Sequence, residues 1–214
     1  MKILVTGGAG FIGSNLVDRL VQDEYQTAVV DNLSTGFREN INPQAAFYHI
    51  DIRDKAEVRR VFREFEPDAV YHLAAQIDVR KSMDNPVSDA ETNILGSLNL
   101  LEEAAAMKTC RFIYISTGGA IYGEPDYLPA DEHHPINPES NYGISKHAVE
   151  HYLYQYGRNS NLDYCILRLP NVYGPRQNPL GEAGVNAIFI HQMLKGVTPH
   201  IFGDGEQLRD YVYV

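Results

Sequence analysis

Short apolar runs alternate with longer amphipathic stretches along the first 170 residues of the chain. Residues 2–6, 27–31, 47–51, 69–73, 112–116 and 164–169 are rich in aliphatic, aromatic and β-branched side chains, and read as strands. Between them, residues 11–21, 54–65, 86–107 and 142–156 place apolar side chains at helical spacing, as Phe11, Leu16, Leu20 and Val21 do in the first stretch. Pro86 suits a first helical turn, and Gly157 is placed to close the helix that starts at Tyr142. Residues 32–43 form a polar, turn-rich loop. Strands and helices alternating in this way build a parallel sheet with helices on both faces. The expected fold is therefore α/β, doubly wound. After Leu169 the rhythm changes. Residues 170–184 are rich in proline and glycine, 185–194 look helical, and 211–214 look like a strand in which the sequence stops. That ending suggests a truncated chain.

Composition narrows the function. The chain has 214 residues, 44% hydrophobic and 21% charged, as an ordinary globular protein has. Its formal net charge of -10 and the lack of a basic tract argue against nucleic acid and anionic membrane surfaces as partners. An anionic ligand would need a local positive pocket. No apolar run is long enough to span a bilayer, and the chain opens on a strand without a signal-peptide pattern. Cys110 and Cys165 lack the spacing of metal ligands and cannot make a disulfide framework, which favours a reducing, cytoplasmic setting. Both lie in apolar runs and are expected to be buried, inert thiols. His133 and His134 have no partner ligands in sequence, so no metal is expected.

Two features carry chemistry. Gly7, Gly10 and Gly13 fall where the first strand turns into the first helix. Missing side chains let backbone approach a pyrophosphate, and the helix N-terminus favours its charge. Asp31 ends the second strand, where a carboxylate can accept from the ribose hydroxyls of an adenosine and would repel a 2′-phosphate, which points to NAD rather than NADP. Asp51 and Ile52 follow the third strand, and Leu73, Ala74, Ala75 and Gln76 follow the fourth. These could edge the same site or be plain strand ends. The second feature is Tyr142 and Lys146, four residues apart and so on one face of a helix. An ammonium beside a phenol stabilises the phenolate, and the tyrosine can then act as a base.

Together the segments Thr6-Gly-Gly-Ala-Gly-Phe-Ile-Gly13, Asp31-Asn-Leu-Ser-Thr-Gly36, Asp51-Ile-Arg-Asp54, His72-Leu-Ala-Ala75, Ser116-Thr-Gly-Gly-Ala-Ile-Tyr-Gly123, Tyr142-Gly-Ile-Ser-Lys146, Asn171-Val-Tyr-Gly-Pro175 and Gly203-Asp-Gly-Glu-Gln-Leu-Arg-Asp-Tyr-Val212 resemble the extended short-chain dehydrogenase/reductases, in their NAD-dependent nucleotide-sugar epimerase/dehydratase branch. Within it the chain looks most like the UDP-glucose 4-epimerases. The resemblance implies a Rossmann-like NAD-binding domain over residues 1–170, then the start of an incomplete substrate-binding region over 171–214. It adds Phe11, Ile12, Asn32, Ser34, Thr35, Gly36, Asn93 and Ser116 to the cofactor contacts, together with Tyr142 and Lys146. It makes Tyr142 the base at the sugar 4-hydroxyl and Lys146 the group that lowers its pKa. Gly118 stands where relatives often carry a serine or threonine, so Thr117 is the expected partner of the 4-oxygen, with Ser116 near the nicotinamide. Asn171 and Arg209 are implied contacts of the substrate diphosphate, Arg209 as the positive charge. Arg176 is left to the surface. Dehydratase relatives carry Asp-Glu where this chain has Gly118-Gly119, so the acid and base of elimination are missing and epimerisation at C4 of a UDP-sugar, through a 4-keto intermediate, remains. Two alternatives stay open: a non-catalytic NAD-binding protein, and a 4-epimerase for another UDP-sugar. The family also implies a homodimer, paired through the helices around 93–107 and 142–156.

Overall fold

Aliphatic residues on successive strand positions point to opposite faces of a sheet, and both faces here are buried. Ile3 and Val5 face one layer with Val17, Leu20 and Val29, while Leu4 faces the other with Val70, Phe112, Leu100, Leu101 and Leu153. The computed structural model describes residues 1–107, 110–180 and 184–214. Its strands β1 (Lys2–Thr6), β2 (Gln26–Asp31), β3 (Ala46–His49), β4 (Ala69–His72), β5 (Arg111–Thr117) and β6 (Asp163–Leu169) form a six-stranded parallel sheet in the order β3-β2-β1-β4-β5-β6. Val5 pairs with Val29 on one side and Tyr71 on the other. The chain winds outward from β1 in one direction and from β4 in the other, so a crevice opens between the carboxyl ends of these two strands.

Helix α1 (Phe11–Gln22) covers one face. On the other, α2 (Lys55–Phe65) starts at Asp54, whose carboxylate accepts from the amides of Ala56 and Glu57, and α7 (Asn141–Ser160) starts at Ser140, whose hydroxyl accepts from Gly143. The helix expected over 86–107 is three pieces in one continuous run: α4 (Pro86–Ala90), a widened π-turn (Glu91–Leu95) and α5 (Gly96–Ala106). Two short helices, α3 (Val79–Asp84) and α6 (Gly118–Ile121), were not foreseen.

Three other expectations are corrected. The third strand ends at His49, two residues early, because Asp51 turns the chain by accepting from the Arg53 amide. Gly157 does not close α7; it lies inside the helix, where a Cβ would come within 2.5 Å of the Tyr164 ring, and Asn161 in the left-handed conformation (φ 53°) ends it instead. Cys110 is buried, and burial pushes its thiol up to about 12, but Cys165 is exposed, because β6 is the edge strand.

Beyond β6, β7 (Asn171–Tyr173) and β8 (Tyr211–Tyr213) pair in parallel as a separate two-stranded sheet, with α8 (Val185–Leu194) between them in sequence. Residues 181–183 of the proline- and glycine-rich segment lie outside the described residues. Among the described residues no helix is long and apolar enough to cross a membrane.

Candidate active site

The β1–α1 turn leaves no room for side chains. Gly7 sits at φ +72°, its amide donating to Val30 O at 2.8 Å, and a Cβ on it would lie 2.7 Å from the Ala74 nitrogen. A Cβ on Gly13 would lie 2.2 Å from Gly7 O. Gly10 precedes α1 without a side-chain cap, and the first turn holds no acidic residue. The positive end of the helix dipole is therefore left for an incoming anion. Asp31 fastens this turn to the end of β2: Oδ2 accepts from Ala9 N at 3.0 Å and Oδ1 from Leu33 N at 2.8 Å. Each carboxylate oxygen keeps a further lone pair for a ligand hydroxyl. Asn32 donates to Asp51, and Arg53 beside Asp51 holds that carboxyl well below the usual range.

A cavity of about 400 Å³ runs across the carboxyl ends of the strands. Its wall includes Gly7, Gly10, Phe11, Ile12, Gly13, Asp31, Asn32, Ser34, Thr35, Gly36, Asp51, Ile52, Leu73, Ala74, Ala75, Ser116, Thr117, Tyr142, Lys146 and Asn171. Three expected site residues are placed elsewhere. Gln76 turns away, its amide donating to Asp78 O and to the Asp89 carboxylate. Asn93 is buried in the π-turn, where it accepts from Gln76 N and donates to Gln76 O, Asp89 and Ser145. Arg209 is exposed and donates to Leu208 O, so the positive charge expected for a diphosphate is not in the cavity wall.

At the far end, Tyr142 and Lys146 project from α7 toward Ser116 and Thr117 on β5. Burial pushes the Tyr142 phenol up to about 12, and the Thr117 side chain beside it, without a hydrogen bond of full geometry, opposes the rise. Burial also pushes Lys146 down to about 7, against the charges of Glu150 and Asp89. Burial thus moves the two groups in opposite directions, because desolvation penalises the charged form of both. The Lys146 Nζ stands 4.2 Å from the centre of the Tyr114 ring, and Tyr114 OH donates to the Lys146 carbonyl. Ser116 Oγ is buried beside Glu150 without a hydrogen bond of full geometry.

A model of the NAD dependent epimerase/dehydratase family matches residues 3–214. The chain belongs to that family. A UDP-glucose 4-epimerase of Mycolicibacterium smegmatis is 45% identical over 219 residues, covering all of this chain and 70% of that protein. The crystal structure of a Thermotoga maritima UDP-glucose 4-epimerase with UDP-glucose superposes with a TM-score of 0.97 at 53% identity, over 100% of this chain and 69% of that one. A Thermus thermophilus UDP-glucose 4-epimerase in complex with NAD gives a TM-score of 0.93 at 50% identity, over 100% and 70%.

In this epimerase/dehydratase chain the side-chain-free glycine turn, the open helix terminus and the Asp31 carboxylate fit a dinucleotide, and the family is NAD-dependent by description. Sequence reasoning missed Thr92, Pro170, Val172, Gln177 and Gly184, which also line the cavity. The last four come from the strap after β6, whose composition signals only a loop. The strap is fastened to α1 by Asn15, which donates to Pro175 O at 3.0 Å, and by an ion pair of Arg176 with Asp18. Arg176 thus has a partner that its place in the sequence does not reveal.

Proposed function

We propose that the chain epimerises the C4 centre of a UDP-hexose with NAD, through a 4-keto sugar. One observation carries this reading: Tyr142, its Thr117 partner and Lys146 share a single cavity with the glycine turn and Asp31. NAD, when bound, supplies the acceptor and later donor of a hydride. The protein's part is acid–base chemistry and orientation. Thr117 and Tyr142 hold the 4-oxygen; Tyr142, ionised beside the charged Lys146, takes the hydroxyl proton, and the same phenol gives it back to that oxygen after the sugar presents its other face. Gly118 and Gly119 open α6 right after Thr117 and carry no side chain, so these two positions supply no group to remove or add the second proton that elimination of water needs. The relatives named above support the sugar and the cofactor. Residues 1–170 serve the cofactor and 171–214, through Asn171, begin the substrate side. A homodimer in the cytoplasm completes the proposal, supported by exposed Leu95, Ile144 and Tyr152 on the helices the family pairs.

Incubating the protein with NAD and UDP-galactose is expected to yield UDP-glucose, resolved by chromatography. Conversion of another UDP-sugar alone would move the substrate assignment, and no conversion of any would sink the reading. Asp31 is expected to select NAD. Asp31→Asn keeps one acceptor for the turn and drops the charge, and should weaken NAD by about 10- to 100-fold relative to NADP. Equal affinities for the two nucleotides in the unaltered protein would remove that role.

A further inference from the structure

Asp89 is a carboxylate at 1% exposure on α4 that the reaction above does not use. Two neutral amides hold it, Gln76 Nε2 at 3.0 Å and Asn93 Nδ2 at 3.1 Å, both on Oδ1. Backbone donors fix the orientation of these amides. Asp78 N donates to Gln76 Oε1 at 2.6 Å, and Gln76 N donates to Asn93 Oδ1 at 2.8 Å. Each amide therefore turns its NH₂ toward Asp89, and the seat offers donors to an ionised carboxylate. A buried carboxylate held by neutral donors alone is incompletely compensated. Among the described residues none of the ion pairs includes Asp89.

The seat leads to the reactive turn of α7. Asn93 Nδ2 donates to Ser145 Oγ at 3.1 Å, and Ser145 Oγ donates to Tyr142 O at 3.0 Å. The groups around Lys146 differ in what they can supply. His72 on β4 is neutral, pushed down to about 3 by burial and then by the Lys146 charge. Tyr114 on β5 is raised well above its ordinary value by burial and offers a ring face. Glu150, one turn further along α7, accepts Arg168 Nε at 3.1 Å and Nη2 at 2.7 Å, and so already answers a cation. Tyr142, raised by burial, stands beside Thr117. Glu150 and Asp89 both raise Lys146, Glu150 the more strongly, but among the described residues only Glu150 of the two is in an ion pair.

We propose that Asp89 is a positioning residue for the Tyr142–Lys146 pair: a buried counter-charge, seated by Gln76 and Asn93, that holds the pair's protons. The proposal rests on the reading of Tyr142 and Lys146 as the acid–base pair. Its charge raises the proton affinity of both groups, so removing it moves both in one direction.

Asp89→Asn keeps the volume and the accepting oxygen and removes the charge. In protein labelled at lysine ¹³Cε, with the Lys146 signal identified by its loss in Lys146→Arg, the Lys146 midpoint near 7 should fall by about 0.5–1 pH unit in Asp89→Asn. Both limbs of the activity profile should shift to lower pH with it. An unmoved midpoint in a folded Asp89→Asn protein, whatever its thermal stability, would overturn the proposal and leave Asp89 a packing group. Should that variant not fold, carboxyl ¹³C spectra of the unaltered protein decide: Asp89 must read as a carboxylate at pH 7, and a protonated Asp89 overturns the proposal. A shifted Lys146 midpoint in a protein that converts no sugar nucleotide would keep the electrostatic role and sink the reaction instead.

Discussion

Tyr142→Phe should lower turnover of a UDP-hexose by about 10²- to 10⁴-fold, the range that a lost general acid–base group commonly gives. The phenyl ring keeps the packing of the tyrosine and loses only the oxygen that reaches Thr117. Ser82 Oγ, which accepts from the Tyr142 amide at 3.1 Å, is untouched by the change, and so is the Ser140 cap of α7. The helix should therefore stand, and NAD affinity, followed by quenching of protein fluorescence, should stay within about twofold of the unaltered protein, since twofold is under 0.5 kcal/mol. The assignment of Tyr142 does not survive a variant that keeps full activity. Nor does it survive one that loses NAD together with activity, because the oxygen would then be a binding group.

The second large effect is expected at the glycine turn. Gly13→Ala puts a Cβ 2.2 Å from Gly7 O and 2.9 Å from Gly8 Cα, both backbone atoms that cannot swing aside. The turn must open. Overpacking of this kind removes about 1–3 kcal/mol of stability. Displaced amides at the start of α1 should weaken NAD by about 10- to 100-fold, the equivalent of one charge-assisted hydrogen bond. Thermal melts with and without NAD separate the two effects, because the stabilisation given by saturating cofactor should shrink along with the melting temperature. A Gly13→Ala protein that gains as much from NAD as the unaltered chain does would show that the turn does not touch the dinucleotide. Gly119→Ala is the internal control, since that Cβ meets nothing within 4 Å.

What could be read from the sequence was local. The glycine turn and the Tyr142–Lys146 spacing are written in neighbouring residues and survive as geometry. So do the six strands of the sheet, to within a few residues at each end. Properties set by distant partners could not be read. Asn93 leaves the cavity because a π-turn rotates it inward onto Asp89 and Ser145, and no spacing rule announces a π-turn. Gly157 has the look of a helix stop but serves to admit the Tyr164 ring from the neighbouring strand. Arg209 carries the right charge, but residues 201–210 form an exposed stretch, and the charge stays outside the cavity. The proton affinities of Tyr142 and Lys146 follow from how deeply each is enclosed, which is a property of the assembled sheet and helices.

Helix α7 carries the reactive side chains on its first turns, and on the next two it drives Val149 and Leu153 into the main core at 0% exposure. Chemistry and cohesion are thus threaded on one rod. Sliding or tilting that rod to suit a differently shaped sugar would tear the interior, so the proton-handling end is locked in place, and any drift in substrate taste has to come from elements that bear no such weight.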